Sequence, residues 1–369
     1  REEYEIEEFR KASWDYLKKN LVLAKAQSIM WPLMFVLVGF SLLITIYVGG
    51  LKVINGEISI GTLTVFFTYL SMLIWPMIAF GWVTNMVQQG AASMKRLTNI
   101  FDIVPDIQDS DATDFSITNI NGKIEFRNVS FKHKNSDQTV LKNISVKIPQ
   151  GTTLAIIGYT GSGKSTLVNL IPRLYEATEG EVLIDGHDIR KIPLNVLRKN
   201  IGYTPQETFL FSDSIAENIR YGNDDAERDL ILESAEISQI AKDVAEFPQR
   251  FETILGERGI TLSGGQKQRT SIARAVLRKP KILILDDALS AVDTNTEEEI
   301  LIRLRKIMEG RTSIIISHRI STVKDADQII VLNNGEIIEQ GTHDELIERN
   351  GTYANLHKKQ LLERELETL

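Results

Sequence analysis

The sequence predicts a membrane-embedded helical segment followed by an α/β domain that carries an inserted helical subdomain. Three observations predict this. Two long stretches near the start hold no charged residue, residues from about 122 onward alternate short β-branched runs with helical patterns, and a glycine-rich loop joins one such run to one such helix.

No charged residue occurs from Ala26 to Leu51, nor from Ile58 to Met94. A bilayer core needs roughly 20 apolar helical residues, and Ile29–Val48 and Ile60–Trp82 each supply them. Lys18, Lys19 and Lys25 precede the first span and Lys95 with Arg96 follows the second, whereas the connecting loop carries only Lys52 and Glu57. Positive flanks stay cytoplasmic, so the two spans form a hairpin that enters and leaves on the cytoplasmic side. Pro32 and Pro76 are expected to kink their helices. The chain opens on Arg1 rather than methionine, as expected of a fragment of a longer protein.

Residues 1–100 therefore read as the end of a transmembrane domain with a charged cytoplasmic extension before it. Residues 101–121 contain FDIVPDIQDSDATDF, with five aspartates and no basic residue, a composition suited to a solvated linker. Residues 122–369 form the soluble domain. KIEFRNVSF, TTLAIIG, EVLIDG, KILILDD, TSIIISH and QIIVLNNG read as its strands. KSTLVNLIPRLY, LRKNI, 226–247, GGQKQRTSIARAVLRK and TEEEILIRLRKIM read as its helices, giving a largely parallel sheet. The absence of cysteine excludes disulfides and thiolate metal sites. The net charge of −7 argues against nucleic acid as a partner.

Gly158 to Ser165 fits G-x-x-x-x-G-K-[ST] between a strand and a helix. Gly158, Thr160, Gly161, Ser162, Gly163, Lys164, Ser165 and Thr166 are thus candidate nucleotide-binding residues. Backbone N–H groups of residues 161–166 would cradle phosphate oxygens, Lys164 would reach the β- and γ-phosphates, and the Ser165 hydroxyl would bind Mg²⁺. Asp286, at the end of the apolar strand KILILDD, is expected to hold the same Mg²⁺ through water. Leu262 to Arg269, LSGGQKQR, places a serine and two glycines before a helix, offering a hydroxyl and free N–H groups to an anion.

With the phosphate loop upstream and LILDD downstream, LSGGQKQR resembles the signature of the ATP-binding cassette family. The resemblance implies that Ser263, Gly264, Gly265 and Gln266 bind the γ-phosphate of an ATP held by an opposite cassette. It further implies that Gln206 senses Mg²⁺, that Ser290–Asp293 crosses to the partner, and that His318 touches the γ-phosphate. Gly256–Gly259 resembles an exporter-specific element. The hairpin resembles the last two of the six helices of an exporter half-transporter, and REEYEIEEF resembles a cytoplasmic turn that docks on a cassette.

Two residues depart from the family pattern. His133 stands where many exporters have a Tyr that stacks on adenine. Asp287 stands where a Glu usually polarises the attacking water. Its carboxylate is shorter by one methylene, and ~1 Å of misplacement can cost about a hundredfold in rate. The expectation is an ATPase of the cell membrane, multi-pass with its ATP-binding domain in the cytoplasm. It exports amphipathic small molecules or lipids and works with a second half-transporter, a heterodimer with an impaired site at Asp287 being favoured. An active homodimer and a non-transport ATPase of the same family are the alternatives.

Overall fold

A computed structural model describes residues 2–134, 136–259 and 262–367. The chain divides into two compact units, one ending at Val104 and one beginning at Pro105. In the first, α1 (Glu2–Ile54) and α2 (Ile60–Phe101) are continuous helices that run past Pro32 and Pro76. At 1.5 Å per residue they measure about 80 and 60 Å, more than a bilayer core of roughly 30 Å requires. Each therefore has length for a span and for an extension beyond it.

Hydroxyl groups in the charge-free stretches bond back onto their own helices. Thr45 donates to the Ser41 carbonyl at 2.8 Å, Thr68 to Thr64 at 2.9 Å, Ser71 to Phe67 at 2.9 Å and Thr84 to Phe80 at 2.8 Å. In lipid such groups have no water to bond, so their partners have to be internal. Phe35, Phe66, Met72 and Trp75 face outward. The turn between the helices is closed by Ser59, which accepts the Thr62 N–H at 3.1 Å, and by an ion pair of Lys52 with Glu57 at 3.0 Å.

The second unit is built on two sheets. β1 (Ile124–Lys132), β2 (Thr139–Ile148), β4 (Glu179–Ile184) and β5 (His187–Asp188) form an antiparallel sheet ordered β2-β1-β4-β5. The larger sheet is ordered β10-β9-β3-β8-β7-β6, from β3 (Thr153–Gly158), β6 (Ile201–Thr204), β7 (Ile282–Asp286), β8 (Thr312–Ile316), β9 (Gln328–Asn333) and β10 (Glu336–Gly341). Its strands are parallel except β10 at the edge. The central strands are buried on both faces, and alternate residues go to different cores. Ile156, Ile282, Ile284, Ile314 and Ile330 pack toward the antiparallel sheet, whereas Ala155, Leu283, Leu285, Ile315 and Ile329 pack with α8 (Gly264–Leu277) and α9 (Thr294–Met308). That is the period-two rule of a strand with helices or a sheet on each side.

The antiparallel sheet was not expected, because β2 interrupts its apolar residues with Lys142, Asn143, Ser145 and Lys147 and was not among the expected strands; nor was β10, a short edge strand of the larger sheet that carries Glu336 and Glu339. Helix extents differ too. KSTLVNLIPRLY is helical only over α3 (Lys164–Asn169); Pro172 disfavours helix before it, and Arg173 takes a φ of 54°. LRKNI divides between α4 (Leu194–Lys199) and the start of β6. Residues 226–247 contain α6 (Arg228–Ile237) and α7 (Ile240–Glu246), separated at Gln239, whose φ is 60°. With α5 (Ile215–Arg220) and α8 these helices enclose a third core around Ile219, Ile231, Ile240 and Leu255, the inserted subdomain.

The acidic stretch is not a solvated linker throughout. Phe101 ends α2, and from Pro105 the chain groups with the second unit. Asp109 accepts the Leu194 N–H at 2.9 Å, and the Asp114 N–H donates to the Lys191 carbonyl at 2.7 Å. The hydroxyl and N–H of Ser116 hold the Asp114 carboxyl below its ordinary range. The Asp109 carboxylate caps the Leu194 N–H and the Asp114 carboxylate the Ser116 N–H, a use that charge composition does not reveal. The stretch ends on Asp185, which accepts the N–H groups of Asn121 at 2.5 Å and Lys123 at 3.0 Å. Asp185→Ala is expected to lower the stability of this unit by about 1–3 kcal/mol, read by denaturant titration, with Asp185→Asn losing less because it keeps an acceptor.

Candidate functional site

The parallel register brings the motifs to one edge. Ile156 pairs with Ile316 and Ile316 with Asp286, so β3, β8 and β7 end in one row, and β6 ends beside them with Thr204 opposite Leu285. The loops that leave these four strands carry the phosphate motif, His318, Asp287 and Gln206. They enclose a cavity of about 300 Å³ lined by Thr160, Gly161, Gly163, Lys164, Ser165, Thr166, Gln206, Asp286, Asp287 and His318. Ligands of open parallel sheets bind outside the carboxyl ends of the strands. A groove of about 610 Å³ over Glu125, Arg127 and Lys147 is larger, but those three side chains are already ion-paired with one another.

Gly158 ends β3 against the backbone of β9, where a Cβ would collide with the Leu332 carbonyl. Lys164 is buried, and its ammonium donates to the carbonyls of Gly158 and Tyr159, both at 2.9 Å. Burial pushes its pKa down, against the pull of Asp287 and Asp286. Burial likewise pushes the Asp286 carboxyl up, with the neighbouring Ser165 hydroxyl and Lys164 opposing. One oxygen of Asp286 is buried with no hydrogen-bond partner. Burial raises the Tyr203 phenol as well, and its hydroxyl bonds Asn169 at 2.8 Å. Two opposite charges are thus held side by side in a largely buried, confined space, the pattern of a functional site.

Among the described residues no group of three His, Cys, Asp or Glu could hold a metal by itself. The cavity wall instead offers the Ser165 hydroxyl, the Gln206 amide and the Asp286 carboxylate. An all-oxygen, incomplete set fits a Mg²⁺ that takes its remaining ligands from phosphate and water.

Asp287 lines the cavity with a φ of 48°. Its N–H donates to the Ile316 carbonyl at 3.0 Å and its carbonyl accepts the Ser290 hydroxyl at 2.9 Å. Left-handed backbone suits Asp better than most side chains.

Ser263, Gly264, Gly265 and Gln266 do not line this cavity. They start α8, where Ser263 caps the helix by accepting the Gln266 N–H at 3.3 Å and Gln266 returns a bond to the Ser263 N–H at 2.9 Å. At Gly265 a Cβ would lie 2.8 Å from the Ala291 carbonyl, so the signature and the SAVD loop pack backbone to backbone. His133 is outside the cavity too. It is exposed and packs edge-on against Phe131 at 4.8 Å and Tyr175 at 5.3 Å.

Two residues that sequence reasoning passed over secure the signature. Gln268 donates to Ser290 Oγ and accepts the Ala291 N–H, both at 2.9 Å. Asp243 receives Arg269 at 2.6 Å and the Gln266 amide at 2.9 Å. Gln268 lies within the quoted motif and could have been marked; Asp243, on α7, gave no local signal.

Fold and cavity define a P-loop nucleotide-binding domain on a chain with two helices long and apolar enough to cross a membrane. The chain belongs to the ABC transporters: residues 141–290 match the ABC transporter family, and residues 1–77 match the ABC transporter transmembrane region. It is 41% identical over 362 residues to an ATP-dependent lipid A-core flippase of Syntrophus aciditrophicus, covering 98% of this chain and 60% of that protein. It is 40% identical over 359 residues to a probable multidrug resistance ABC transporter ATP-binding/permease protein of Bacillus subtilis, covering 97% and 61%. A bacterial Atm1-family ABC exporter with ATP bound matches with a TM-score of 0.76 at 37% identity, over 89% of this chain and 56% of that one. The chain spans about three fifths of the length of the curated relatives it matches.

The buried carboxylate carries a testable cost. A folded pKa above the ordinary 3.8 means that the charged form is disfavoured in the folded state. The penalty is absent below the unfolded value and complete above the folded one. Asp286→Asn is therefore expected to melt above the native protein at neutral pH without nucleotide, the gap closing as pH falls toward 4. The same variant should lose stabilisation by Mg²⁺ and nucleotide, which thermal shift measures.

Proposed function

We propose that this chain is the cassette-bearing part of an exporter half-transporter that binds and hydrolyses ATP to move amphipathic small molecules or lipids across a membrane. The observation that carries the reading is the single cavity that gathers the phosphate loop, Gln206, Asp286, Asp287 and His318. Lys164 and the loop amides bind the β- and γ-phosphates; Ser165, Gln206 and Asp286 hold Mg²⁺, which neutralises phosphate charge when bound. His318 contacts the γ-phosphate, and His133, backed by Phe131 and Tyr175, offers a ring to the base. Likeness to a lipid flippase, a multidrug resistance protein and an Atm1-family exporter supports export but does not choose the cargo.

The signature lies off this cavity, which supports its use against a nucleotide held by a second cassette, so the working unit is a dimer. Asp287 reaches the water region with a short carboxylate, and we read this site as impaired and its partner as a different, competent half-transporter. The completeness of the remaining set, His318 included, favours a second reading, a homodimer that turns over slowly. Loss of a general base costs about 10²–10⁴-fold, and that separates the two.

In membranes with every partner present, Asp287→Asn is expected to leave steady-state ATPase nearly unchanged in the heterodimer. Near-complete loss would reject the impaired-site reading and leave the homodimer. Asp287→Glu is expected to raise hydrolysis at this site by restoring reach, with a small loss of stability from the left-handed backbone. Lys164→Ala is expected to abolish tight triphosphate binding here; an unchanged affinity in a nucleotide-analogue titration removes the loop from the site.

A further inference from the structure

The turn after β8 is held by two helices that no motif singled out. His318 lines the nucleotide cavity, and behind it the side-chain amide of Gln360 bonds the backbone on both sides of Arg319. Its Nε2 donates to the His318 carbonyl at 2.5 Å and its Oε1 accepts the Ile320 N–H at 2.9 Å. An amide can do both at once, whereas a carboxylate lacks the donor and a thioether offers only a weak acceptor. Gln360 belongs to α10–α12's last member, where α10 is Ile320–Val323, α11 is His343–Glu348 and α12 is Thr352–Glu367.

From the other side, Glu297 of α9 is 4% exposed, accepts the Thr322 hydroxyl at 2.6 Å and pairs with Arg319. Helix α12 is anchored by Tyr353, fully buried in the core shared with α9. Tyr353 and Gln360 are seven residues apart, two turns along one face. The seat of α12 is thereby tied to the peptide that carries His318.

We propose that Gln360 is a positioning residue for His318, through which α12 sets how strongly this chain's site prefers ATP to ADP. The proposal rests on His318 contacting the γ-phosphate, a group that only the triphosphate has. With the Gln360 bonds gone, the His318–Arg319 peptide is released to rotate and the imidazole loses its fixed aim. ADP binding, which relies on the phosphate loop, does not depend on that aim.

The test uses the full-length transporter in membranes and photolabelling of this chain by 8-azido-ATP, competed with ATP or with ADP. Gln360→Met keeps the length of the side chain and removes both strong hydrogen bonds. It is expected to lower the ATP-over-ADP preference by about two- to tenfold, the worth of one hydrogen bond, with ADP affinity unchanged. Gln360→Glu, which retains only the acceptor, is expected to change the preference in the same direction. In a His318→Ala background, Gln360→Met is expected to add nothing.

A Gln360→Met effect that is equal for ATP and ADP, or that persists undiminished in the His318→Ala background, overturns the proposal. So does a large effect of His318→Ala with none of Gln360→Met or Gln360→Glu, and that outcome leaves the γ-phosphate reading intact. A His318→Ala variant with native preference overturns both.

Discussion

The parallel pairing of four adjacent strands is the constraint on which the site depends. Ile156, Ile316 and Asp286 stand in one row of the sheet, so the segments after them emerge together although they are far apart in sequence. Register in a sheet buried on both faces is strongly specified, because a slip of one residue would send every side chain to the wrong core. The alternation of Ile282, Leu283, Ile284 and Leu285 between two cores therefore also sets where Asp286 and Asp287 fall. Hydrophobic packing, which has no chemistry of its own, aims the chemistry.

What is aimed there is costly to keep. Lys164 and Asp286 are buried opposite charges, both displaced from their ordinary pKa ranges chiefly by burial. The lysine recovers part of the cost from the Gly158 and Tyr159 carbonyls; one Asp286 oxygen recovers nothing from the protein. A buried unpaired acceptor costs about 1–3 kcal/mol, and a cation bound beside this carboxylate would offset that cost. Binding and stability are in tension at this carboxylate, as at many functional sites.

The inserted subdomain is tied to the same edge by polar side chains that reach across elements. Gln268 joins α8 to the loop after Asp287. Arg274 donates to the Asn218 carbonyl at 2.8 Å and the Phe209 carbonyl at 3.0 Å, and its guanidinium lies 5.4 Å from the Tyr221 ring. Burial pushes its pKa down, yet it remains charged, as an arginine does in proteins. The third core, with Ile219 and Leu255, keeps that subdomain a body of its own.

The amino-acid sequence by itself determined the charge-free spans, the phosphate loop, the strand ending in two acids and the signature. Each is local: a run long enough for a bilayer, or a spacing that a short backbone segment must satisfy. It did not determine β2 and β10, whose polar residues obscure the strand pattern until a neighbouring strand pairs with them. Nor did it show the break at Gln239, whose carbonyl accepts Arg269 from another helix at 3.0 Å. Asp109 looks solvated in composition, and becomes a cap only when Leu194 is brought beside it. Asp243 and Gln360 belong to the same class. Their roles come from partners 26 and 42 residues away, and long-range contacts of this kind exist only once the chain has folded.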